Sequence, residues 1–128
     1  PPDDDYNIDY LEPGGDIHIS LPNYCKYIQL NMQGLQGNDN YLTPSTYDLL
    51  FNDHKDTTYA YGWGNFVQDN HYYSWHAGSA GTFLTQAFID KTQSVAYVIM
   101  MNTNSPDAWK VGMELRRKME NLYGGFEN

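Results

Sequence analysis

The second half of the chain contains four segments rich in aromatic and β-branched residues, separated by turns of only a few residues. Such composition is typical of β-strands. The segments span 59–67, 72–75, 82–89 and 94–101. Turn residues at Asp69-Asn70 and at Asp90-Lys91-Thr92 leave too little chain for the helical crossover that a parallel pair requires. The sequence therefore predicts an antiparallel sheet of about four strands.

Two helices are predicted before this sheet. Ser20 is a candidate N-cap and Gly37 a candidate stop for the first, while Thr43-Pro44 opens the second. Apolar residues recur at helical spacing, namely Leu21, Tyr24, Cys25, Ile28, Met32 and Leu35 in the first helix and Tyr47, Leu50 and Phe51 in the second. Each helix is expected to bury this stripe. Cys25 is then a small core residue and not a nucleophile.

A closing helix begins at Ser105-Pro106-Asp107, where a cap, a proline and a carboxylate suit the first turn. Its predicted apolar face consists of Ala108, Val111, Gly112, Leu115, Met119 and Leu122. The basic run Arg116-Arg117-Lys118 is interpreted as a solvated helix end. Packing of this helix on one face of the sheet predicts an α+β fold, with helices flanking the antiparallel strands.

Charge and hydropathy exclude several classes of partner. The formal net charge of −9 would repel nucleic acid and anionic membrane surfaces. The longest apolar run, Val95 to Met101, is far shorter than the roughly 20 residues of a membrane-spanning helix. No signal peptide is evident in this chain, and the start at Pro1 suggests a piece of a longer polypeptide. The 128 residues fit one domain, 1–128, with an acidic lead-in at 1–12 that we expect to be flexible.

The segment His76-Ala77-Gly78-Ser79-Ala80-Gly81 is the main candidate for chemistry. Its small residues let a ligand approach the backbone, and an accessible N–H can stabilise an oxyanion in acyl transfer. His76 could donate a hydrogen bond or a charge, because its reference pKa lies near neutrality. A structural turn explains the same pattern equally well. No metal-binding spacing is present, so neither a metal nor another cofactor is predicted.

The order of motifs along the chain resembles the serine β-lactamase-like family, which groups class C β-lactamases, D,D-peptidases and related esterases. His76-Ala77-Gly78 looks like its third active-site motif, in which lysine or histidine precedes a small residue and a glycine. Four further segments resemble turns, helix starts and strands of the family. They are Pro13-Gly14-Gly15 through Ser20 to Tyr24, Leu42-Thr43-Pro44-Ser45, Tyr61-Gly62-Trp63-Gly64, and Asp90-Lys91-Thr92-Gln93-Ser94 with the strand closed by Asn102.

This resemblance implies roles for particular residues. His76 would hold or polarise the substrate, beside Ala77 and Gly78, and the backbone N–H of Ser79 would form half of an oxyanion hole. Asn102 and Asn104 correspond to the region where the family sometimes binds a substrate carboxylate; ordinary loop asparagines are the alternative.

Two motifs of the family are missing. The chain contains no Ser-x-x-Lys, the motif that carries the nucleophile, and none of its twelve tyrosines precedes an asparagine by two residues. The resemblance therefore implies a C-terminal portion of such a hydrolase, inactive alone. The expected substrate is a small molecule or a peptidoglycan-like compound, in an extracytoplasmic location.

Truncation should leave an apolar sheet face bare, so we expect self-association or a partner that supplies the missing catalytic portion. Two other functions stay open. One is a non-catalytic binding module, with glycans as the candidate ligand and an aromatic platform made by Tyr59, Tyr61, Trp63, Tyr72, Tyr73 and Trp75. The other is an inactive relative that serves as a scaffold.

Overall fold

The computed structural model describes residues 12–15, 17–38, 40–52 and 58–124, and these form an α+β fold. Four helices and four strands follow in the order α1 Glu12–Gly15, α2 Leu21–Leu35, α3 Pro44–Phe51, β1 Gly64–Gln68, β2 His71–Ala80, β3 Phe83–Asp90, β4 Val95–Met101 and α4 Pro106–Tyr123. The predicted lead-in lies outside the described residues except for Glu12. No described helix combines the length and the apolar character needed to cross a bilayer.

The strands form one antiparallel sheet in the order β1-β2-β3-β4, which confirms the predicted meander. Asp69 and Asn70 both have positive φ, as a tight two-residue hairpin turn requires. The turn between β3 and β4 is closed by Asp90, whose carboxylate accepts the N–H groups of Thr92 and Gln93. Local turn chemistry thus sets the register of the first and the last of the three hairpins.

The first predicted strand is shorter than expected, and the second is longer. Residues 59–63 contribute only a single bridge, Tyr59 to Gly64, because Gly62 turns the chain with a φ of +84°. Gly64 is needed for close approach, since a Cβ there would lie 2.5 Å from the indole nitrogen of Trp75. β2 continues without interruption to Ala80, through the small residues that follow His76.

The sheet is covered on both faces by the chain's own helices. α2 and α3 pack on one face around Ile28, Phe51 and Ile89, and α4 packs on the other. Consecutive residues of β3 point to opposite faces, yet Ala87, Phe88 and Ile89 are all fully buried. The expectation of a bare apolar face is therefore wrong for the centre of the sheet, because α4 and the α2–α3 pair together provide both layers.

The predicted stripe of α2 is only partly correct. Its buried residues are Tyr24, Ile28, Asn31 and Gly34. Cys25 is exposed, and so is Leu21. The prediction of Cys25 as a core residue is wrong because successive residues of a helix differ by about 100° in direction, which turns Cys25 away from the sheet once Tyr24 faces it. In α3, Thr43 caps the helix through Thr46 as predicted.

α4 begins as predicted, with the Ser105 hydroxyl accepting the Ala108 N–H at 3.1 Å. Its buried residues are Ala108, Gly112, Arg116 and Glu120, whereas Val111, Leu115 and Leu122 are exposed. The interpretation of Arg116 as solvated is wrong. The guanidinium is fully buried, 5.2 Å from the ring centres of Tyr73 and Phe88, and it donates to Glu120 and Gln68.

Candidate functional site

The candidate segment forms the outer half of β2. Residues Tyr73 to Ala80 pair with β3, but the pairing of β2 with β1 ends at Trp75. From His76 onward, no strand among residues 12–15, 17–38, 40–52 and 58–124 pairs with the other side of β2. The predicted glycine-containing edge is therefore a stretch of strand with one free side.

The register determines which backbone groups point to this free side. In an antiparallel strand, N–H and C=O groups of alternate residues point to alternate neighbours. The carbonyl of Tyr72 accepts from the Lys91 N–H just beyond β3. The backbone N–H and C=O groups of the even-numbered residues of β2 therefore point towards β3. The backbone groups of Tyr73 and Trp75 consequently point towards β1. Those of Ala77 and Ser79 point in the same direction but lie past the end of β1. No strand in the described part of the chain therefore accepts the N–H groups of Ala77 and Ser79.

This part of the strand is accessible to solvent. Gly78 and Ser79 are exposed, and a Cβ built on Gly78 would project from one face of the strand without meeting any atom within 4 Å. His76 and Ala77 are half-buried. The candidate site is therefore an exposed part of β2 beyond the end of its pairing with β1.

His76 is held by two aromatic side chains from different parts of the chain. Its Nε2 is hydrogen-bonded to the Tyr24 hydroxyl on α2, and its ring meets the Trp63 ring edge-on with centroids 4.7 Å apart. Burial lowers the pKa of His76 below its ordinary value of 6.5 and raises the pKa of the Tyr24 hydroxyl. Both groups are therefore neutral at pH 7, and the imidazole acts as a hydrogen-bonding group and not as a cation.

Asn104 lies beside Ser79 and is already hydrogen-bonded. Its Oδ1 accepts the Trp109 indole N–H at 2.9 Å, and its Nδ2 donates to the Ser79 hydroxyl at 2.8 Å. An indole N–H can only donate, so this orientation of the amide is the consistent one. The Ser79 hydroxyl accepts from Asn104 and keeps its own proton free. Asn102 is exposed beyond β4, and no hydrogen bond within the described part of the chain joins it to Ser79.

The six aromatic residues considered as a glycan platform do not share one exposed surface. Tyr59, Tyr61 and Tyr72 are exposed. Trp63 and Tyr73 are buried, 6% and 2% exposed, and Trp75 stacks on Phe88 on the α4 side of the sheet. Only three of the six rings are exposed, so the six do not form one continuous stacking surface.

Two cavities lie elsewhere in the molecule. One of about 210 Å³ is bounded by the end of α2, Asn52 and Lys91; the other, of about 180 Å³, lies between Gln68, Asp69 and Arg117. The Lys91 ammonium donates to Asn52 and Asn65, and burial lowers its pKa. These bonds connect the end of α3 to the sheet.

Within the described ranges, no group of His, Cys, Asp and Glu residues is arranged to hold a metal ion.

Sequence reasoning missed Tyr24, Trp63 and Trp109 as parts of this site. Tyr24 was assigned to the core by its helical spacing, but its partner His76 lies 52 residues away. No periodicity within one helix indicates a contact over that separation. Comparison with protein-family models, curated proteins and solved structures finds no match to this chain.

Proposed function

We propose that this chain is the C-terminal portion of a serine β-lactamase-like hydrolase and supplies one wall of an acyl-transfer site. The observation that carries the proposal is the free edge of β2, where the Ala77 and Ser79 N–H groups point outward beside His76. The resemblance of His76-Ala77-Gly78 to the family's third motif supports the same reading. The attacking serine and its lysine belong to sequence outside this chain or to a partner.

In this proposal the Ser79 N–H is one of two donors to the oxygen of the substrate carbonyl. Attack by a serine alkoxide converts that carbonyl to a tetrahedral oxyanion, and a donor already fixed in place stabilises the new charge without reorganisation. The antiparallel pairing of β2 with β3 fixes the Ser79 amide, because both neighbouring residues are bonded to β3. Removing one such donor typically slows acyl transfer about 10²- to 10³-fold.

His76 in this scheme orients the substrate through a neutral hydrogen bond. Its Nε2 is bonded to Tyr24, and its ring is held against Trp63, so rotation of the imidazole is restricted. Asn104 and Trp109 position the Ser79 hydroxyl and leave its proton free to donate to a polar group of the substrate. The substrate class is an ester or amide of an acyl-D-amino acid, a β-lactam or a related compound.

Binding of a β-lactam to the isolated chain tests the Ser79 amide. In a ¹⁵N-labelled sample, titration with benzylpenicillin should shift the Ala77 and Ser79 amide signals in a saturable manner. The Val67 amide should not move, although it also points outward at the margin of β1. Ser79→Pro removes the N–H, and Ser79→Ala keeps it. We expect binding to weaken about 10-fold in S79P and to change less in S79A.

Equal weakening in the two variants, or no shift at Ser79 at any ligand concentration, would contradict the proposed role of this amide.

A second experiment addresses the nucleophile. A fluorophosphonate probe should not label the isolated chain, because no Ser-x-x-Lys is present. Labelling of any of its serines would show that the attacking group lies within these 128 residues and would overturn the assignment of this chain as one wall only.

A further inference from the structure

β4 has the burial of an interior strand although it lies at the margin of the sheet. All seven of its residues are buried or half-buried, because α2 packs on one of its faces and α4 on the other. The run Val95 to Met101 contains no charge, proline or glycine. Natural edge strands are commonly protected by such residues against pairing with another chain. β4 carries none of these protections.

The register leaves one row of backbone groups on β4 without a strand partner in the described residues. The backbone N–H and C=O groups of even-numbered β3 residues point towards β4, since those of odd-numbered residues point towards β2. Their partners on β4 are odd-numbered, from Val95 opposite Asp90 to Met101 opposite Leu84. The N–H and C=O groups of Ala96, Val98 and Met100 therefore point outward.

An exposed and largely apolar stripe on α4 lies beside this edge. Val111, Leu115 and Leu122 are 45%, 41% and 72% exposed and lie on one side of the buried stripe of α4, and the exposed Lys118 lies in the same row between the two leucines. Arg117 and Asn121 lie on its opposite side and line a cavity with Gln68 and Asp69 of the β1–β2 hairpin. Because β1 and β4 are at opposite margins, the apolar stripe is on the β4 side.

We propose that β4 and this stripe, together the β4 surface, bind a second copy of this chain. Antiparallel pairing of two β4 strands about a two-fold axis at Val98 sets Ala96 opposite Met100 of the second copy and forms about six hydrogen bonds. The stripes on the two α4 helices then face each other. β4 carries no charge and Lys118 in the α4 stripe is basic, so the acidic residues behind the net charge of −9 are not concentrated where the copies meet.

The dimensions agree with a stable dimer. Seven residues of strand extend about 24 Å, and a helix–sheet–helix sandwich is about 30 Å thick, which gives roughly 700 Å² per copy. Stable interfaces bury about 800 Å² per partner. This association does not depend on the chemistry proposed for β2, so either proposal can fail without the other.

Sedimentation velocity of the full chain over a range of concentrations tests the proposal. The mass should rise with concentration from 14.7 kDa towards twice that value. Val98→Pro removes an outward N–H at the two-fold axis and should weaken association about 100-fold, while the β3–β4 ladder keeps its bonds. Val67→Pro is the matched control, because the Val67 N–H also points outward but on β1. It should leave the association constant unchanged.

A second pair of variants tests the helix stripe without altering the strand. Leu115→Glu should weaken association at least about 10-fold, since it buries a charge against the second copy. Leu49→Glu makes the same change at an equally exposed position on α3 and should have no effect. Both are surface changes that a folded chain tolerates.

Hydrogen exchange of the unmodified chain provides a readout independent of any substitution. The amides of Ala96, Val98 and Met100 should exchange more slowly as concentration rises, and that of Val67 should not change. A monomer at all concentrations would overturn the proposal. So would a dimer that V98P and L115E leave intact, or one that V67P disrupts.

Discussion

At the scale of single residues, His76 links the candidate site to the stability of the fold. The native protein binds a proton on His76 less readily than the unfolded chain, because burial lowers the pKa of the folded histidine below 6.5. More protons are then bound in the unfolded state, so this residue makes the free energy of unfolding decrease as the pH falls below about 6.5. Above that pH both states are neutral at His76, and the contribution is constant.

Replacement of this histidine should remove that part of the pH dependence. His76→Gln is expected to cost about 1 kcal/mol at pH 7.5 through the altered bond to Tyr24. Between pH 7.5 and pH 5, its free energy of unfolding should fall less steeply than that of the parent. Urea unfolding at several pH values measures this slope. His18→Gln, at an exposed position, serves as the control and should follow the parent. A parallel slope for H76Q would contradict a depressed pKa at His76.

At the scale of elements, α4 shows how a helix can be placed correctly while its buried face is assigned wrongly. The cap at Ser105 and the bounds Pro106–Tyr123 follow from local signals. The buried stripe contains Ala108, Gly112 and an ion pair in place of the predicted leucines. The ion pair joins Arg116 Nη1 to Glu120 Oε1 at 2.5 Å. Aromatic rings from β1, β2 and β3 surround the guanidinium and make that burial favourable. Burial and a hydrogen bond to Glu120 in turn raise the pKa of the Tyr73 hydroxyl.

Docking of α4 should therefore depend strongly on Arg116. Arg116→Leu leaves Glu120 buried without its cation and is expected to cost about 3 kcal/mol. Arg117→Leu is the neighbouring control and should change the free energy of unfolding by less than about 0.5 kcal/mol, because that side chain is exposed. Chemical unfolding monitored by tryptophan fluorescence compares the two. Removing both charges, in Arg116→Leu with Glu120→Gln, should restore part of the loss. An R116L variant as stable as R117L would show that the ion pair contributes nothing to docking.

At the scale of the whole molecule, stability is expected to be highest in β3 and lowest along the two free edges. β3 is paired on both sides and covered by helices on both faces, with Gln86, Phe88 and Ile89 almost inaccessible. Its amides should exchange with solvent only through global unfolding. The outward amides of Ala77 and Ser79 should exchange orders of magnitude faster in a dilute sample. Native-state hydrogen exchange by NMR measures both sets. Protection of Ser79 equal to that of Gln86 would mean that its amide is engaged, and the proposed acyl-transfer wall would be untenable.

Much of the fold could be predicted from the sequence because its signals are local. Asp69-Asn70 specifies a hairpin through backbone conformations that few residue pairs adopt, and Thr43 and Ser105 cap helices within three residues of themselves. The candidate site rests on the same kind of local signal and stays a prediction. His76 and Ser79 lie on one strand, where alternation alone separates inward from outward groups.

The chain's own sequence thus determined its elements, their antiparallel order and the position of a small-residue edge on β2, since each depends on neighbours a few residues apart. Only the tertiary structure decided that Tyr24 and Trp63 hold His76, that Arg116 is buried while Leu115 is exposed, and that no strand of the described residues pairs with the outer side of β4. These features depend on contacts between segments far apart in the chain. Helical or strand periodicity names the faces of an element, but which face is buried depends on what packs against it.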